Sequence, residues 1–98
     1  MKFMIAKPAV APANFMRFLG YHPDRGAASF SRRLGRNVYP RLHIYLTELS
    51  DNKLEISLHL DQKKPSYPGQ RAHSADYDGD ILQQEKERIK TKFSDLPK

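Results

Sequence analysis

Arg41-Leu42-His43-Ile44-Tyr45-Leu46-Thr47 and, after a short gap, Leu54-Glu55-Ile56-Ser57-Leu58-His59-Leu60-Asp61 are the stretches whose reading decides the fold. In the first, Leu42, Ile44 and Leu46 face one way, and Arg41, His43 and Tyr45 face the other. In the second, Leu54, Ile56, Leu58 and Leu60 alternate with Glu55, Ser57, His59 and Asp61. A period of two means strands with one buried face. Ser50-Asp51-Asn52 between them is rich in turn formers, so the two strands form an antiparallel hairpin. Paired residues must share a side of the sheet. Centring the turn on Asp51 sets Leu46 opposite Ile56, Ile44 opposite Leu58 and Leu42 opposite Leu60. The same register sets His43 opposite His59, Arg41 opposite Asp61 and Tyr45 opposite Ser57. Opposed Cβ atoms lie about 4.5–5.5 Å apart. At that spacing two imidazoles can touch, or share a proton, a phosphate or a metal ion. A slip of two residues would keep the core but part them.

Outward from the hairpin the signals are shorter. Ser29 to Leu34 reads as a third strand, followed by a turn at Gly35-Arg36-Asn37. Pro12 to Gly20 reads as a short helix, with proline in its first turn and glycine just past its end. Phe15, Phe18 and Leu19 would share one face of it. His22-Pro23-Asp24-Arg25-Gly26 is turn chemistry. Residues 1–10 are apolar-rich but interrupted by Pro8, which suits a loose arm or a short edge strand. Residues 62–77 form a long connection without periodicity, holding Pro65, Pro68 and Gly69. Loops of that length are uncommon unless functional or disordered.

Asp80-Ile81-Leu82-Gln83 resembles an N-capping box, so a second helix is expected from there to about Phe93. Leu82, Ile89, Phe93 and Leu96 lie near one stripe, with Lys86, Arg88, Lys90 and Lys92 largely toward solvent. Glu85 lies at the edge of that stripe. It either snorkels to water or points inward and needs an Arg or His of the sheet as partner. Residues 94–98 read as a tail. The expected fold is a single α+β domain spanning 1–98. A three-stranded antiparallel sheet packs on two helices in the order α-β-β-β-α, with its other face polar.

Composition bounds the function. The chain has 98 residues, 17 Lys+Arg against 11 Asp+Glu, a formal net charge of +6 and no cysteine. Disulfides and thiolate zinc sites are excluded. No apolar run approaches the roughly 20 residues of a membrane span, so no membrane partner is expected. The first ten residues carry Lys2, Lys7 and Pro8 and do not read as a secretory signal. A reduced, cytoplasmic, bacterial-style setting is the expectation.

The positive charge is clustered. Arg17, Arg25, Arg32, Arg33, Arg36 and Arg41 face only Asp24 in sequence, and Lys63, Lys64 and Arg71 extend the basic balance. Guanidinium forks bind phosphate bidentately, and clustered positive charge is the footprint of nucleic-acid binding. Tyr21, Tyr39, Tyr45 and Tyr67 are interleaved and can stack on bases. The preferred function is RNA or other nucleic-acid binding through Arg32, Arg33, Arg36, Arg41, Tyr45, Lys63, Lys64 and Arg71. The bland counterpart is a solvated basic surface.

Three alternatives stand beside it. A small RNase would use His43 and His59 as acid and base, with Arg41 holding the phosphate. A divalent metal ion would be held by His43, His59, Asp61 and His73, although no short-spacing ligand motif is present and otherwise no cofactor is expected. A non-catalytic protein-interaction module is the third; an open edge at Ser29–Leu34 could pair with another chain. Oligomeric state is left open.

Several strings carry a resemblance: Gly20-Tyr21-His22, Ser29-Phe30, Arg33-Leu34-Gly35, Tyr39-Pro40-Arg41, Leu58 to Pro65, and Ala72-His73-Ser74. Across Phe15 to Lys92 the chain resembles uncharacterised small proteins of candidate-phyla bacteria, a likeness that implies no activity. More remotely, the helix–three-strand–helix order resembles the double-stranded-RNA-binding fold and the HicA-type mRNA interferase toxins. Those toxins carry a catalytic His in a sheet strand, typically after Gly-Ser. The position matched here is His43, preceded instead by Pro40-Arg41-Leu42. As a fold-level analogy it implies an RNA partner.

Overall fold

The computed structural model describes residues 1–25, 28–62 and 74–96. In chain order its elements are β1 (Lys2–Ala6), α1 (Pro12–Phe18), β2 (His22–Pro23), β3 (Ser29–Arg33), β4 (Arg41–Glu48), β5 (Lys53–Asp61) and α2 (Ser74–Ser94). The strands form one antiparallel sheet in the order β1-β5-β4-β3-β2. No described helix is long and apolar enough to cross a membrane.

The α+β class holds, but the three-stranded sheet and the α-β-β-β-α order are corrected. The sheet has five strands, and the chain enters it before α1. With that order the likeness to the double-stranded-RNA-binding fold loses its structural basis. Of the two expectations for residues 1–10, the edge strand is the one observed. Phe3 and Ile5 are buried while Lys2, Met4 and Ala6 are exposed, and Phe3 pairs with Ile56 some fifty residues away. A five-residue alternation is too short to announce itself without that partner. The turn at His22 likewise contains a two-residue strand, pairing His22 with Ser31 and Pro23 with Phe30. β3 is therefore covered along its first half and open only at Arg32 and Arg33.

The central hairpin has the register its pattern requires, with Leu46↔Ile56, Ile44↔Leu58, Leu42↔Leu60, His43↔His59 and Arg41↔Asp61. Asn52 closes its turn in the left-handed region at φ 67°, a conformation asparagine tolerates. α1 ends as its glycine indicates. Gly20 has φ +94°, its N–H donates to Arg17 O, and the Tyr21 N–H donates to Met16 O. This pair of bonds is a Schellman cap. Phe15 and Leu19 are buried, but Phe18 is not; Met16 takes the third core position and Phe18 lies under Lys92. α2 begins at Ser74, so Asp80 lies within it rather than capping it. No proline between the two positions stops the helix.

Both helices bury the same side of the sheet. Phe15, Met16 and Leu19 of α1 and Ile89 of α2 join Phe3, Ile5, Leu42, Ile44, Leu54, Ile56 and Leu58 in one core. Phe15 and Phe93 meet edge to face across the two helices. A buried carboxylate sits in that layer. Glu85 accepts a 2.7 Å hydrogen bond from the Tyr21 hydroxyl, 2.8 Å bonds from Arg88 Nε and Nη2, and a 2.9 Å bond from Arg32 Nη2. Arg88 also donates to the Leu19 carbonyl at 2.7 Å. Arg88 therefore points inward, not to solvent, because the buried Glu85 needs a counterion.

Burial alone would push the Glu85 carboxyl up. The bonds from Arg88 and Tyr21 and the Arg32 charge outweigh it and hold the carboxyl below its usual range. Burial, reinforced by Glu85, pushes the Tyr21 phenol up, so it stays a donor. Because the folded-state value of Glu85 lies below the unfolded one, its stabilisation is full above the unfolded carboxyl range. It is lost as pH falls through the folded value. Glu85→Ala leaves two guanidiniums and a phenol without their acceptor, and is expected to cost on the order of 3 kcal/mol at pH 7. Urea denaturation should show that loss, with the gap to the parent protein narrowing as pH is lowered.

Candidate nucleic-acid interface

With both helices on one side, no described element covers the opposite face of the sheet. Alternation along the strands arranges it in rows. One row is Arg33, Arg41 and Asp61; the next is His22, Ser31, His43 and His59; the third is Ser29, Tyr45 and Ser57. Asp24, just past β2, reaches into the same face. Its carboxylate accepts hydrogen bonds from Ser29 Oγ at 2.8 Å and Ser31 Oγ at 2.7 Å.

His43 stands between two carboxylates. Its Nε2 is 3.1 Å from Asp24 Oδ2 and its Nδ1 is 3.0 Å from Asp61 Oδ2. The Nε2 approach is a charge contact whose alignment is not that of a hydrogen bond. Neither nitrogen is directed at a substrate, so the ring braces the segment after β2 to β5 across β4. Burial pushes the Asp24 carboxyl up, but the Ser31 and Ser29 bonds and the charges of His43 and Arg41 bring it below its usual range.

His43 and His59 are opposed in register as the pattern requires, yet they serve different partners. His59 Nε2 lies 3.0 Å from Ser57 Oγ. Tyr45 touches both imidazoles, with ring centroids 4.7 Å from His43 and 6.0 Å from His59. The result is a ladder of three rings, with Tyr45 45% exposed in the middle of the open face.

The sequence-derived arginines divide. Arg33 and Arg41 share the first row of the open face, and Arg36 is exposed between β3 and β4. Arg41 stacks on Tyr39 at 5.1 Å and lies 3.4 Å from Asp61. Arg32 alternates to the other side of β3 and is engaged by Glu85. Lys63, Lys64, Tyr67, Arg71 and His73 lie outside the described residues, as does most of the 62–77 connection. Among the described residues no three His, Cys, Asp or Glu are grouped to hold a metal ion. Of the expected metal set, His43 and Asp61 are in direct contact, with Nδ1 3.0 Å from Oδ2.

Sequence reasoning missed Asp24, Ser29, Ser31 and His22 as members of the face. The period-2 pattern of Ser29 and Ser31 was a usable signal. Asp24 carried none, since its turn also reads as an ordinary connection. At the end of the face near Arg33 and Arg41 lies a cleft of about 540 Å³. Compared with known proteins, the chain matches no family model, no curated protein and no solved structure.

Asp24→Ala frees two serine hydroxyls and removes one of the two carboxylates facing His43. The expected loss is about 1–3 kcal/mol, read by urea denaturation at pH 7. Asp24 is held below its unfolded value, so this loss too shrinks as pH falls through the folded value.

Proposed function

We propose that this protein binds single-stranded RNA across the open face of its sheet. The observation that carries the reading is the placement of Tyr45, exposed at the centre of a sheet face that no described element covers and flanked by the rings of His43 and His59. Unstacked bases lie on such rings, and aromatic platforms on open sheets are a common way of holding single strands. A duplex hides its base faces and has no use for them. Arg33, Arg36 and Arg41 stand toward one end of the face, where they meet the phosphate backbone. The two carboxylates nearest that end, Asp24 and Asp61, are occupied by serines, His43 and Arg41, which limits their repulsion of the backbone.

The acid–base alternative gains no support from the geometry. Catalysis by a His pair needs one nitrogen of each ring at the reacting phosphate, whereas both His43 nitrogens face carboxylates.

A labelled single-stranded RNA titrated with protein across a salt series tests the reading. Affinity should fall steeply with salt, as phosphate contacts release counterions. Tyr45→Ala should weaken binding by about 5- to 150-fold, the equivalent of roughly 1–3 kcal/mol for a lost stacking partner. Tyr45→Phe should retain most of the affinity. No binding at low salt, or no response to Tyr45→Ala, would overturn the proposal.

A further inference from the structure

Arg33 and Arg41 are directly opposed on the open face. Like charges in that position repel. Arg41 has Asp61 nearby, but Arg33 is exposed and has no carboxylate partner among the described residues. A third guanidinium reaches the same place. β2 begins at His22, which pairs with Ser31, so no described strand pairs with the outer edge of β3 at Arg32 and Arg33. There Arg32 commits its Nη2 to Glu85 and leaves its Nε buried without a hydrogen-bond partner. Arg41 Nε is buried as well and faces Asp61 Oδ2 at 3.4 Å, an ion pair not aligned as a hydrogen bond.

Only three buried side-chain nitrogens or oxygens among the described residues lack a hydrogen-bond partner, and these are two of them. Both residues line the 540 Å³ cleft, together with Gly20, His22, Arg33 and Val38. Gly20 keeps the wall thin: a Cβ there would sit 3.3 Å from Arg32 Cδ. Asp24 also lines the cleft, with its oxygens turned to Ser29, Ser31 and His43.

We infer that this cleft is a phosphate-monoester site which, given the nucleic-acid reading above, holds the terminal phosphate of the bound strand. The unpartnered Arg32 Nε and the exposed, unpaired Arg33, beside an Arg41 only partly neutralised by Asp61, call for an anion with several acceptor oxygens. A monoester phosphate offers three such oxygens and up to two negative charges, more than a phosphodiester within the chain can present. The position suits a strand end as well. Arg41 and Tyr45 are four residues apart on β4, about 13 Å along the strand. An end phosphate in the cleft leaves the following bases to run along β4 onto the ring ladder.

The test compares one RNA sequence in three forms by anisotropy: with a 5′-phosphate, with a 3′-phosphate, and with both ends hydroxyl. Adenosine 5′-monophosphate is titrated in parallel. One phosphorylated form should bind at least about tenfold tighter than the unphosphorylated strand, the scale of one charge-assisted hydrogen bond; that form identifies which end is held. Arg33→Ala should erase the preference. Arg17→Ala, which removes the same charge from an exposed position on α1, should keep it. Equal binding of all three strands overturns the end-phosphate site and leaves the open face as the RNA surface. Binding of adenosine monophosphate without binding of any strand supports the cleft and overturns the face. Binding of neither overturns both. A preference that survives Arg33→Ala, or is lost equally in Arg17→Ala, also overturns the cleft assignment.

Discussion

The strict alternation of β4 and β5 is the constraint from which the rest of the molecule follows. Seven leucines and isoleucines across the two strands must leave water together, and the pleat allows this on one side only. Both helices therefore dock on that side, and β1 adds Phe3 and Ile5 to it. The other side carries Arg41, His43, Tyr45, Ser57, His59 and Asp61, and no described element covers it. The core and the candidate interface are two faces of one pattern.

A second constraint acts at the seam between the layers. Glu85 is nearly fully buried, and its four hydrogen bonds come from the segment after α1, from β3 and from its own helix. It joins parts of the chain that share little other polar contact. It also holds Arg32 by one end of its guanidinium, with Nε buried and without a hydrogen-bond partner. A stabilising cluster in the core thereby shapes the wall of the cleft on the opposite face.

The open face is organised by charge pairing more than by packing. Asp24, His43 and Asp61 run across three neighbouring segments, and Tyr45 stacks beside them. This brace holds the short β2 segment against the sheet despite its two residues of pairing. A His pair that suits acid–base work as an isolated pattern has, with its neighbours in place, one ring between two carboxylates and the other beside a serine hydroxyl.

The hairpin, its register, the opposed histidines and the polar face were legible from the sequence because a period of two is a local property and side chains must follow it. The Schellman end of α1 was legible for the same reason, through Gly20. The need of an inward Glu85 for an Arg or His of the sheet followed from the cost of burying a charge; Arg32 of β3 meets it, and Arg88 of the same helix, expected toward solvent, joins it. Residues 2–6 and 22–23 become strands only because distant partners, residues 53–57 and 30–31, present free backbone groups to them. No short window of sequence contains that information. Tertiary structure alone also decided that Arg32 turns to the core while Arg33 and Arg41 meet on the open face, and that Asp24 reaches His43. Charge in a sequence is counted along the chain, but its function depends on which side of a pleat each residue occupies and on which opposite charge lies within reach.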